Sequence, residues 1–74
     1  MSAEEIHKNL LRALSTVTQQ HAAVLKNPLP GHEPILRDMD LKRLAAQVTT
    51  AKFMCRVAGI DEQAIRLITD VHYL

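Results

Sequence analysis

The stretch VAGIDEQAIRLI, residues 57–68, decides how the C-terminal part of the chain folds. Gly59 predicts the end of a helix, because glycine adopts the left-handed conformation of a C-terminal cap at little cost. Asp61 is a strong N-cap residue for a following helix. Ile60 and Ile65 have the spacing of a hydrophobic staple. The stretch therefore predicts a tight corner and then a short helix at about residues 62–73.

The same spacing fits a DNA-binding helix-turn-helix at about residues 50–72, with Cys55 as the small residue four positions before Gly59. The second helix of such a motif reads bases with its N-terminal residues, usually Arg, Lys, Asn or Gln. Here that turn begins with Asp61 and Glu62, which repel phosphate. A packing corner is the favoured interpretation, and a DNA-binding regulator is the alternative.

The helix before the corner is predicted at about residues 35–58, and two apolar groups lie along it. Its start stays open between Pro34, which suits a first helical turn, and Leu41, since Asp38 or Asp40 would also serve as an N-cap. The first apolar group repeats with alternating spacings of three and four, like a coiled-coil seam. We predict self-association through this seam: Leu41, Leu44, Val48, Ala51 and Cys55.

The second apolar group, Ala46, Phe53 and Val57, lies on nearly the opposite side of the same helix. A helix with apolar residues on two sides is usually covered on both. A short third helix covers only part of this surface, so we expect a partner to cover the rest. Phe53 is the best single anchor, because aromatic residues dominate interface energetics.

The first helix is predicted at about residues 3–26, with Ser2 as N-cap and Glu5 completing a capping box. Its apolar arc carries His21, which we interpret as a packed or interface-edge histidine. KNPLPGHEP, residues 26–34, breaks the helical pattern with three prolines and a glycine. The Pro-rich turn at 27–34 is expected to reverse the chain.

The pattern predicts an all-α fold: an antiparallel hairpin of two long helices plus a short C-terminal helix, in a single domain spanning residues 1–74. The core of a 74-residue chain is thin. We therefore expect two hairpins to pair into a four-helix-type homodimer.

Composition excludes several function classes. The net charge of +1 gives no general attraction to nucleic acid or anionic membranes. One cysteine forms no internal disulfide, the four histidines lie far apart, and no nucleophile or phosphate-binding motif occurs. We predict no metal, no cofactor and no enzymatic activity. The absence of a signal sequence and of a long apolar run predicts a cytoplasmic protein that does not enter the membrane.

The favoured function is a protein–protein interaction module, such as an adaptor, inhibitor or small chaperone, that binds itself and another protein. A basic stripe beside the second apolar group would suit an acidic partner, although such cations are often merely solvated or paired with Glu33, Asp61 or Asp70. The predicted partner-binding residues combine the apolar group with this stripe: Ala46, Phe53, Val57, Lys42, Lys52 and Arg56.

Overall fold

A computed structural model describes residues 2–26 and 34–73. Within these ranges the chain forms three helices and no strand, with α1 at Ala3–Lys26, α2 at Pro34–Val57 and α3 at Glu62–Tyr73. The predicted all-α class is confirmed, as is the packing of the two long helices against each other. The Pro-rich turn predicted at 27–34 lies outside the described residues except for Pro34, the first residue of α2.

Helix α1 begins at a capped end and runs antiparallel to α2. The Ser2 hydroxyl accepts a hydrogen bond from the backbone N–H of Glu5 at 3.2 Å, which satisfies one free donor of the first turn. Near this end the His7 ring bonds through Nε2 to the carbonyl oxygen of Ala58, just beyond α2, at 2.8 Å. The start of α1 therefore lies beside the end of α2.

The corner after α2 is closed by a Schellman motif. Gly59 has φ +85°, and its N–H donates to the Arg56 carbonyl at 3.0 Å. The N–H of Ile60 donates to the Cys55 carbonyl at 3.0 Å, which completes the motif. The Asp61 carboxylate then accepts from the N–H of Gln63 at 3.2 Å and caps α3.

The core is small and draws on all three helices. Its fully enclosed apolar side chains are Leu14 of α1, Val48 and Cys55 of α2, and Ile65 of α3. Leu44 is also buried, at 6% exposure. One face of α2 is therefore covered by the other helices of the chain.

Helix α3 packs more extensively on α1 than on α2. Polar contacts reinforce this pairing. The Ser15 hydroxyl and the His72 ring are 3.0 Å apart, and the His21 ring lies 2.6 Å from the Tyr73 hydroxyl in an edge-on arrangement. The sequence pattern predicted that α3 covers part of the second face of α2. Its position on α1 instead leaves that face of α2 open.

Candidate interaction surface

A row of exposed apolar side chains runs along the outer face of α2. At 100° per residue these positions fall within about 40° of one another, and they lie about 180° from Leu44, Val48 and Cys55. The most exposed are Ile35 at 72%, Val57 at 71% and Phe53 at 63%. We call the row the outer stripe; it consists of Ile35, Met39, Ala46, Phe53 and Val57.

The outer stripe explains why α2 is much less amphipathic than α1 or α3. Its apolar residues occupy two opposite sides, and only the side toward α1 is covered within the chain. Isolated exposed apolar residues are common on monomeric proteins, whereas several aligned on one helix face indicate an interaction surface. Lys42 and Thr50 lie on the same face, between members of the outer stripe.

The sequence prediction identified three members of this row and missed Ile35 and Met39. Both share the face of Ala46, at spacings of eleven and seven residues. The spacing that puts both residues on this face can therefore be read from the sequence, but the residue at which the helix starts cannot. The helix predicted at about residues 35–58 includes both residues, but its start was left open as far as Leu41, and the structure fixes it at Pro34.

A shallow groove adjoins the outer stripe between α1 and α2. It encloses about 460 Å³, and its walls are mostly apolar. Val17 contributes from α1, while Ala46, Ala51 and Met54 contribute from α2, with Arg43 at the rim. Because Ala46 belongs to both features, the groove and the outer stripe form one continuous apolar surface.

The predicted self-interface seam lies elsewhere. Leu44, Val48 and Cys55 are at most 6% exposed within a single chain, and Leu41 and Ala51 are half-buried. Neighbouring helices of the same chain fill the space that a second copy was expected to take. These residues contribute to the intramolecular core.

The basic residues beside the outer stripe are largely paired. Lys42 lies 3.1 Å from the Asp38 carboxylate, one turn earlier on the same helix. Arg56 makes a two-pronged bond to Glu62, at 2.8 and 2.9 Å. This bond lowers the pKa of Glu62, and the nearby Lys52 adds a smaller effect in the same direction. Among the described residues, Asp38 and Glu62 rather than Asp61 or Asp70 hold Lys42 and Arg56, while Glu33 lies outside the described residues.

The Arg56–Glu62 pair also bears on the DNA-binding alternative. The cation that would approach phosphate at the corner is held by an acid of α3, and Asp61 is engaged in capping. The Schellman motif and the caps account for the corner through packing and backbone hydrogen bonds alone.

Cys55 is enclosed in the core. Burial raises the pKa of its thiol, an effect that the neighbouring Arg56 only partly opposes. A buried thiol with a raised pKa is a poor nucleophile. Across residues 2–26 and 34–73, no group of three or more His, Cys, Asp or Glu side chains is arranged to hold a metal ion. None of the helices in those ranges is both long and apolar enough to cross a bilayer.

Comparison of the chain with protein-family models, with curated sequences and with solved structures finds no match. The surface chemistry of the molecule is therefore the basis on which its function is proposed.

Proposed function

We propose that this chain is a non-enzymatic protein–protein interaction module that forms a homodimer and binds a further protein by helix packing. An adaptor, an inhibitor and a small chaperone all work in this way. The mechanism needs no bound cofactor, because burial of apolar surface supplies the driving force.

The single observation that supports this proposal is the outer stripe. A five-residue apolar row is exposed on α2 while the same helix contributes Val48 and Cys55 to the core. The stripe is therefore separate from the core, which α2 builds with its opposite face. Interfaces are built around a few large apolar or aromatic anchors that become fully covered on binding. Phe53 is such an anchor, at 63% exposure.

The groove supports the same proposal. Helix-in-groove recognition requires an apolar channel that accepts one face of an amphipathic helix. The channel between Val17 and Met54 has this character, and Arg43, which also lines it, lies 3.3 Å from the Asp40 carboxylate of the same helix.

Site-specific photo-crosslinking in the cells that make the protein tests the proposal. A photoreactive amino acid at position 53 is expected to yield covalent adducts with a second copy, with another protein, or with both. Position 67 is the matched control, because Leu67 is 64% exposed, as Phe53 is, but lies on α3 away from the outer stripe. Adducts no more abundant at position 53 than at position 67 would refute the proposal.

The Phe53→Ala variant provides a second test. Because the side chain projects from the fold, we expect the helical content and the free energy of unfolding of the monomer to change little. Binding of the chain to a second copy or to its partner protein should nevertheless weaken, because truncating an interface anchor removes much of the binding energy. Loss of the fold itself would contradict the placement of Phe53 outside the core.

A further inference from the structure

The outer stripe is symmetric about its own centre. Ile35 and Val57 each lie eleven residues from Ala46, and Met39 and Phe53 each lie seven residues from it. A two-fold interface brings the same surface of both subunits together, so that residue i meets j and j meets i. A helix face that reads the same from both ends satisfies this condition when the two helices run antiparallel.

We propose that the outer stripe binds a second copy of this chain, with two α2 helices antiparallel and the two-fold axis at Ala46. This inference rests on the proposed function and specifies the surface and register of the homodimer. Ile35 then packs against Val57 of the second copy, and Met39 packs against Phe53 of the second copy. A thioether against an aromatic ring is a favourable contact.

The residue at the centre suits close approach. Ala46 would meet Ala46 of the second copy, and two methyl groups allow the helix axes to come nearer than larger side chains do. The larger side chains stand on either side of this point and fill the space where crossed helices diverge. Shape along the stripe therefore agrees with its symmetry.

Charges beside the stripe favour the same register. Asp38 and Arg56 lie on one flank of the stripe, eight residues before Ala46 and ten residues after it. In the antiparallel dimer the same flanks meet, so Asp38 faces Arg56 of the second copy with an offset of about 3 Å along the axis. Both side chains are exposed, and each already has a partner in its own chain, Lys42 for Asp38 and Glu62 for Arg56, so a contact across the dimer would extend these pairs rather than join free charges.

A parallel pair is less favourable. Opposite flanks would then meet, which sets Lys42 beside Arg43 of the second copy and places like charges together. It would also set the flank that carries Asp38 against the flank that carries Leu36 and Met54. In the antiparallel pair, Leu36 and Met54 instead meet each other across the two-fold axis.

The monomer exposes more surface than a compact protein of the same mass. The chain exposes 5401 Å², whereas a compact 8.3 kDa monomer is expected to expose about 4,600 Å². The excess of roughly 800 Å² belongs to the chain as a whole, and the exposed outer stripe contributes part of it. The elongated shape, 45 × 20 × 17 Å, presents this surface along the length of α2.

Disulfide crosslinking under a mild oxidant tests the register, because a disulfide requires Cα atoms within about 7 Å. Ala46→Cys is expected to crosslink with itself. Met39→Cys and Phe53→Cys should form a mixed disulfide when combined, yet neither should crosslink alone, since their positions are about 21 Å apart along a helix. The unmodified chain is the control for Cys55, which is fully buried.

A charge substitution supplies an independent readout by sedimentation. Ala46→Glu would place two carboxylates face to face at the two-fold axis and raise the dimer dissociation constant on the order of a hundredfold. Ala45→Glu is the matched control: Ala45 is also exposed but lies about 100° around the helix, so this variant should dimerise as the parent does.

The outcomes separate the register from the proposed function. Self-crosslinking of Phe53→Cys in preference to the mixed disulfide would overturn the antiparallel register. A dimer by sedimentation in which neither Ala46→Cys nor the mixed pair crosslinks would overturn the surface, while the homodimer stands. A parent chain that sediments as a monomer at its highest soluble concentration would overturn the homodimer itself.

Discussion

Replacing Thr18 with valine is expected to stabilise the protein. Thr18 is completely buried on the inner face of α1, and its hydroxyl oxygen has no hydrogen-bond partner. A buried polar group without a partner costs about 1–3 kcal/mol, because it has lost its bonds to water and gained none. Valine fills nearly the same volume and lacks this penalty. The substitution therefore removes a cost and leaves the packing in place.

The size of the effect follows from these terms. Threonine and valine have similar helix propensities, so the backbone contributes little to the difference. We expect Thr18→Val to raise the free energy of unfolding by about 1–2 kcal/mol. For a domain of this size that corresponds to an increase in Tm of roughly 5–15 °C.

The matched control is Thr69→Val. Thr69 is also buried, at 5% exposure, but its hydroxyl donates to the carbonyls of Ile65 and Arg66 at 3.3 and 3.1 Å. Its replacement removes a formed hydrogen bond and should leave the stability unchanged or lower it by about 1 kcal/mol.

Urea unfolding followed by circular dichroism measures both variants. The midpoint should shift and the slope should stay constant, which shows that stability rather than compactness has changed. All samples need the same protein concentration, because self-association also contributes to apparent stability. A Thr18→Val variant as unstable as Thr69→Val, or more so, would refute the assignment of Thr18 as an unsatisfied buried hydroxyl.

Four further predictions concern the core, the corner, the Arg56–Glu62 pair and the alternative function. Ile65→Ala should lower the free energy of unfolding by about 2–5 kcal/mol in chemical denaturation, because Ile65 is 1% exposed and its truncation leaves a cavity; a cost below 1 kcal/mol would contradict its place in the core. Gly59→Ala should cost about 1–2 kcal/mol by the same assay, solely from the left-handed backbone at φ +85°, since an added methyl group would meet nothing within 4 Å; an unchanged midpoint would contradict the cap. In an NMR titration the Glu62 carboxyl should have a pKa below the ordinary glutamate value, and Arg56→Gln should raise that pKa, because the hydrogen bond from Arg56 is the main cause of its lowering. The stabilisation that the Arg56–Glu62 pair gives the fold is present at neutral pH and is lost as the pH falls through the pKa of Glu62 in the folded state.

The DNA-binding alternative has its own test, a gel-shift assay with duplex DNA at about 50 mM salt, where electrostatic binding is strong. No shift is expected, because the cation at the corner is already paired with an acid. A shift at about 50 mM salt that disappears as the salt concentration is raised would instead favour the DNA-binding alternative.

Local features of the sequence predicted much of the fold. Gly59 and Asp61 indicated the corner, and Ser2 indicated the start of α1, because caps depend on residues within four positions of one another. The start of α2 was left open between Pro34 and Leu41. Several residues there were acceptable first-turn residues, and local chemistry alone does not choose among them.

The candidate site was only partly predictable, for a different reason. Periodicity showed that α2 has two apolar faces, and it identified Ala46, Phe53 and Val57 on the outer one. It assigned the seam of Leu44, Val48 and Cys55 to self-association. Both faces have helical spacing, and spacing carries no information about what lies opposite.

The sequence by itself determined three helices, their caps and a middle helix with two apolar sides. Those properties arise from interactions between residues close in the chain. Only the tertiary structure decided which side is core and which is free. That choice depends on where α3 packs, and α3 lies mainly against α1. A contact between distant segments is set by the shape and area that their faces bury together, so the exposed outer stripe became visible only in the folded molecule.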